Sequence, residues 1–130
     1  MCLSGPNLQL LGTREPTIYG RETLADIHAR LAARAAELGV TVEALQSNHE
    51  GVLLDQIGAA AGAFDGLWLN GGALTHTSLA LFDAIKSVGL PCVEVHLSNP
   101  EAREAFRAES KIAPACIAKV SGFRGDSYVL

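Results

Sequence analysis

"LWLNGGALTHTSLALFDAIKSVGLPCVEVH", residues 67–96, contains a complete strand–helix–strand unit and decides the fold class. Leu67-Trp68-Leu69 reads as a buried strand ending at Asn70. Thr77 or Ser78 caps a helix whose apolar face runs through Leu81, Ile85 and Val88, with Gly89 as its stop and Pro91 behind it. Cys92-Val93-Glu94-Val95-His96 then returns to strand. The same alternation continues on either side. Upstream, a short strand ends near Ser4-Gly5-Pro6-Asn7, and Thr23 starts a helix with Leu24, Ile27, Leu31, Ala35 and Leu38 on one stripe and Gly39 as the stop. Residues 40–45 read as a strand and residues 51–61 as a helix weakened by Gly58. Downstream come a short helical piece over residues 100–106 and a fifth strand over residues 115–120. This order predicts one α/β domain, residues 1–130: a flavodoxin-like three-layer sandwich around a five-stranded parallel sheet. The sequence stops at Tyr128-Val129-Leu130, where a covering helix is expected to begin.

Composition narrows the function classes. At 130 residues, with 48% hydrophobic and 18% charged side chains, the chain can bury a real core and reads as globular. A net charge of −4 with ten scattered cationic side chains argues against a nucleic-acid partner, yet leaves room for a small anion held by one or two arginines. No apolar run approaches the length needed to span a bilayer, so no membrane partner is expected. The three cysteines, Cys2, Cys92 and Cys116, form no CxxC pair and no zinc spacing. Their odd number fits a reducing, cytoplasmic setting, with Cys92 and Cys116 as buried small hydrophobes.

In open α/β sheets ligands bind beyond the carboxyl ends of the strands. Those ends carry Asn7, Asn70 and His96, three polar groups from three strands on one rim. Asn48 and His49 follow the second strand and read as loop and capping residues. Glu94 and His96 sit two apart on a strand and so share a face. That pair suits a general acid with a fixed tautomer, or else a structural ion pair. In the segment from Asn70 to Ser78 the glycines let backbone approach a ligand, His76 offers an imidazole, and free N–H groups at Thr77 and Ser78 are expected to favour an anion. Leu97-Ser98-Asn99 offers the same kind of donors, and Arg107 either closes over the rim or sits solvated at the surface. The loop "GTREPTIYG", residues 12–20, places Arg14 and Tyr19 between two glycines and reads as part of a mobile lid over residues 8–22, with Gly12 and Gly20 as hinges. Neither a Walker loop nor GxGxxG is present.

The stretches "SGPNLQLLGTREPTIYG", "QSNHEG", "NGGALTHTS" and "VEVHLSNPEAREAFR" together resemble the type II 3-dehydroquinate dehydratases along nearly the whole chain. The resemblance implies a cofactor-free and metal-free lyase of the shikimate pathway, assembled as a homo-dodecamer from four trimers. It implies anti elimination of water from 3-dehydroquinate through an enolate. On matching positions Tyr19 is implied as the base for the C2 proton, Arg14 as the group that keeps it ionised, Asn7 as the holder of the water beside the enolate, and His96 as the acid. Asn70, His76, Leu97, Ser98 and Arg107 match substrate-binding positions, and Asp83 matches a residue reaching a neighbouring subunit's site. Gly71, Leu74, Phe82, Gln9 and the run Ala108-Glu109-Ser110-Lys111 depart from the family's usual residues without removing any of these groups. The rival readings are a flavodoxin-like module binding a nucleotide or phosphate, and a silent relative that senses a shikimate-pathway acid.

Overall fold

The computed structural model describes residues 1–13 and 15–130, with only the backbone described at Pro16. Five strands, β1 (Cys2–Ser4), β2 (Ala44–Gln46), β3 (Leu67–Asn70), β4 (Cys92–His96) and β5 (Ala118–Ser121), form one parallel sheet in the order β2-β1-β3-β4-β5. This is the flavodoxin-like order, and it reverses between β1 and β3.

Alternation along the strands builds the layers. Leu3, Leu67, Leu69 and Cys92 pack on one sheet face against Leu53 and Ile57 of α3 (Glu50–Ala59) and Leu81 and Ile85 of α4 (Leu79–Val88). Cys2 and Val95 face the other way, against Leu24, Ile27 and Leu31 of α2 (Leu24–Glu37) and Tyr128 of α5 (Asp126–Val129). Thr23 and Asp26 start α2 with a reciprocal capping box. Ser78 caps α4 by accepting from the Leu81 N–H, and Gly89 closes it in the left-handed region at φ 70°. Over the face of Cys2 and Val95 lies the turn α5, whose Tyr128 hydroxyl meets Ser4 Oγ at 3.1 Å.

Several boundaries differ from the sequence reading. The second strand is shorter than residues 40–45 because its sole neighbour, β1, offers three residues to pair with. The fifth begins only at Ala118, since Pro114 lies in a 3-10 turn, Ala113–Ala115, and cannot donate to a ladder. Leu38 ends the α2 stripe 60% exposed. The expected helix over residues 100–106 is instead two 3-10 turns, Pro100–Ala102 and Ala105–Arg107, parted by Arg103 and Glu104 with ψ −145° and 144°.

Candidate active site

The reversal between β1 and β3 opens a cleft above their carboxyl ends. Gly5 makes the two loops fit: a Cβ there would lie 2.5 Å from the Gly71 carbonyl oxygen. The close approach sets Asn7 beside Asn70 on the cleft wall. Asn7 adopts a left-handed conformation, φ 68°, which asparagine tolerates better than most side chains. Its N–H donates to Asn48 Oδ1 at 3.0 Å, and Gln46 Nε2 donates to the same oxygen at 3.1 Å. Asn48 is therefore a positioning contact as well as a loop residue. Asn70 is buried, with Oδ1 accepting from the Gly72 N–H at 3.1 Å.

β4 supplies one functional wall. His96 Nε2 meets Glu94 Oε1 at 2.6 Å, while Ser110 Oγ donates to Glu94 Oε2 at 2.8 Å. Glu94 is fully buried. Burial alone would raise its carboxyl, but the hydrogen bonds from His96 and Ser110 outweigh it and hold the group below the usual carboxylate range. A carboxylate only accepts, so Nε2 carries the proton and Nδ1 is the ring nitrogen left for exchange. Ser110 falls in the stretch that departs from the family pattern, and nothing in its sequence context points to Glu94.

The segment between Gly12 and Gly20 supplies a second part of the lining. Gly12 and Gly20, at φ 92° and 87°, flank a short helix α1 (Pro16–Tyr19) that presents Tyr19 to the cleft. Arg103 Nη1 donates to Tyr19 Oη at 2.8 Å and to Ser98 Oγ at 3.3 Å, with its guanidinium carbon 5.3 Å from the Tyr19 ring centroid. Arg14, the expected partner of Tyr19, lies outside the described residues. Arg103 is the functional residue that sequence reading missed. It stands four before Arg107 in "NPEAREAFR", a spacing that marks a shared face only on a helix, which this segment is not.

His76, Leu97, Ser98 and Arg107 complete a cleft of about 620 Å³, part of which is open solvent. His76 Nδ1 meets the Glu109 carbonyl at 2.7 Å, so Nδ1 is the donor and Nε2 is free to accept. Arg107 Nε donates to Glu104 Oε2 at 2.8 Å. The Thr77 and Ser78 N–H groups do not form the expected anion site. A 3-10 turn, Gly72–His76, intervenes before α4, and both N–H groups donate to the Leu74 carbonyl, at 3.2 and 2.9 Å. Glu94 sits behind His96 rather than on the cleft, and Asp83 is exposed on α4 away from it. Among the described residues, no three His, Cys, Asp or Glu side chains converge as metal ligands would, and no helix is long and apolar enough to cross a membrane.

This geometry has close parallels. The family model for dehydroquinase class II matches residues 1–130. The chain is 55% identical over 130 residues to a 3-dehydroquinate dehydratase of Geotalea daltonii, covering 100% of this chain and 90% of that one. It is 57% identical over 130 residues to the enzyme of that name from Gloeobacter violaceus, covering 100% and 81%. The crystal structure of type II dehydroquinase from Butyrivibrio crossotus superposes with a TM-score of 0.96 at 38% identity, covering 98% of this chain and 90% of that one.

Proposed function

The chain belongs to the class II dehydroquinase family, enzymes that dehydrate 3-dehydroquinate, and on that premise we propose that Tyr19 and His96 perform the elimination from two separate parts of the cleft lining. The observation that carries this reading is the pairing of each group with its own activator: Arg103 at Tyr19 Oη, Glu94 at His96 Nε2.

The chemistry follows from those pairings. An ordinary tyrosine titrates near ~10 and is a poor base at neutral pH. A neighbouring guanidinium, which stays charged, can hydrogen-bond and ion-pair with a phenolate. Arg103 supplies one such group in contact, and Arg14, carried over from the family pattern, is the second. The Tyr19 phenolate takes the C2 proton, and the electron pair moves into the C3 carbonyl as an enolate. The enolate collapses to form the C1–C2 double bond of 3-dehydroshikimate while the C1 hydroxyl leaves with a proton from His96, giving water. Removal of proton and hydroxyl from opposite faces of the ring calls for two separate groups, and Tyr19 and His96 both line this one cleft. Asn7 holds the water beside the enolate oxygen, and Asn70, His76, Leu97, Ser98 and Arg107 hold the ring hydroxyls and carboxylate. The positive φ of Gly12 and Gly20 supports hinges for a lid over residues 8–22 that closes on substrate and excludes water.

The homo-dodecamer belongs to the same proposal. Asp83 lies exposed and off its own cleft, as a residue serving a neighbour's site must; sedimentation velocity at working concentration tests the assembly. The reaction itself is tested by the ultraviolet absorbance of the conjugated enone. A rise on adding 3-dehydroquinate, unchanged by a chelator, is expected. A flat trace overturns the substrate, and loss of activity with chelator overturns the metal-free route.

A further inference from the structure

Arg103 and Arg107 both reach the cleft, yet no helix fixes their register. On a continuous helix, residues four apart share a face. Here the backbone is extended at Arg103 and Glu104, so that guarantee is lost. One atom replaces it. Glu104 Oε2 accepts from Arg107 Nε at 2.8 Å and lies 3.5 Å from Arg103 Nε. Both contacts fall on Nε, the inner nitrogen of each guanidinium. The terminal nitrogens stay available, and Arg103 uses Nη1 for Tyr19 and Ser98. The two arginine side chains are only 15% and 18% exposed, whereas the carboxylate between them is 50% exposed and does not line the cleft. Glu104 therefore touches neither substrate nor reacting atoms.

We propose that Glu104 is a positioning residue, a clamp that aims Arg103 at the Tyr19 hydroxyl and Arg107 at the substrate. The proposal rests on the dehydratase reading of the cleft. Its rival is a plain counter-ion role, in which the carboxylate merely offsets the positive charge of the two arginines. The two roles predict opposite signs. A lost clamp lets the arginines wander and weakens both binding and the base. A lost counter-ion leaves the cleft more positive, which strengthens binding of a carboxylate substrate and favours the phenolate.

The test compares Glu104→Gln and Glu104→Ala with the parent in the full-length assembled protein. Glutamine keeps an oxygen that accepts from Arg107 Nε but carries no charge; alanine keeps neither. Under the clamp, Glu104→Ala raises KM for 3-dehydroquinate about threefold and lowers kcat, and Glu104→Gln stays near the parent. A second readout needs no turnover. The chain has two tyrosines, and burial pushes the Tyr128 hydroxyl far up; a Tyr19→Phe control assigns the phenolate absorbance that develops on raising pH. The clamp requires this absorbance to develop at higher pH in Glu104→Ala than in the parent. A lower KM in both variants, a phenolate at lower pH, or an Ala variant matching the parent in both readouts overturns it. If the parent does not turn over 3-dehydroquinate, the functional reading fails while the phenolate titration still judges the clamp.

Discussion

The two walls of the cleft are built by different means. The Glu94–His96 wall stands on a central strand, where the two-residue period delivers both side chains to one face and the half-buried Ser110 holds the carboxylate. The Tyr19–Arg103 wall stands on loops and short turns, and side-chain contacts alone bring the pair together. A strand-borne pair is aligned before substrate arrives. A loop-borne pair can close over it. An elimination needs both, an acid held in place and a base delivered once water is excluded.

The largest effect is expected at the loop-borne wall. Tyr19→Phe should lower kcat by at least about a hundredfold, the low end for a general base, while substrate still protects the variant against thermal unfolding. Near-normal kcat would show that the lid wall does not carry the base. Arg103→Ala should lower kcat by about tenfold or more, with lysine restoring little because its single nitrogen cannot face Glu104 as Nε does while also reaching Tyr19 and Ser98 as Nη1 does. Full rescue by lysine would mean that charge alone matters there.

At the rigid wall, Glu94→Gln should leave His96 in place but remove the charge that stabilises its imidazolium, lowering kcat by about tenfold to a hundredfold. The same variant sharpens the contrast in stability. The folded protein holds the Glu94 carboxyl below its unfolded value, so it favours the ionised form. That contribution is present above the unfolded value, about 4.3, and is lost as pH falls through the folded one. Thermal melts between about pH 6 and 3 should therefore fall less steeply in Glu94→Gln than in the parent. Equal slopes would mean that the buried carboxylate is not stabilised by its partners. The smallest effect belongs to Ser110→Ala, which removes one hydrogen bond to a charged group, worth about 1.5–3 kcal/mol of stability, with kcat within about tenfold of the parent.

The same contrast explains what the sequence disclosed. β4 and its Glu94–His96 pair were legible because Cys92-Val93-Glu94-Val95-His96, straight after Pro91, reads as a strand whose two-residue period fixes the faces. Thr23 marked the start of α2 just as plainly. Arg103 was hidden because its role depends on where a non-helical turn sends a side chain across the cleft, and periodicity says nothing of that. Ser110 was hidden for the same reason. The N–H groups of Thr77 and Ser78 misled because a 3-10 turn consumed them, a local rearrangement that leaves the polar pattern of the sequence unchanged. Strand pairing was legible where central and overestimated at β2, where the length of its neighbour set the limit.

Proton NMR of 3-dehydroquinate in deuterated buffer separates the walls most directly. With His96→Ala, the C2 proton should exchange with solvent faster than without enzyme while little 3-dehydroshikimate forms, because the Tyr19 wall still makes the enolate and the leaving hydroxyl lacks its acid. With Tyr19→Phe, both exchange and product should be lost. Dehydration at the parent rate by His96→Ala, or C2 exchange persisting in Tyr19→Phe, would contradict the division of labour between the two walls.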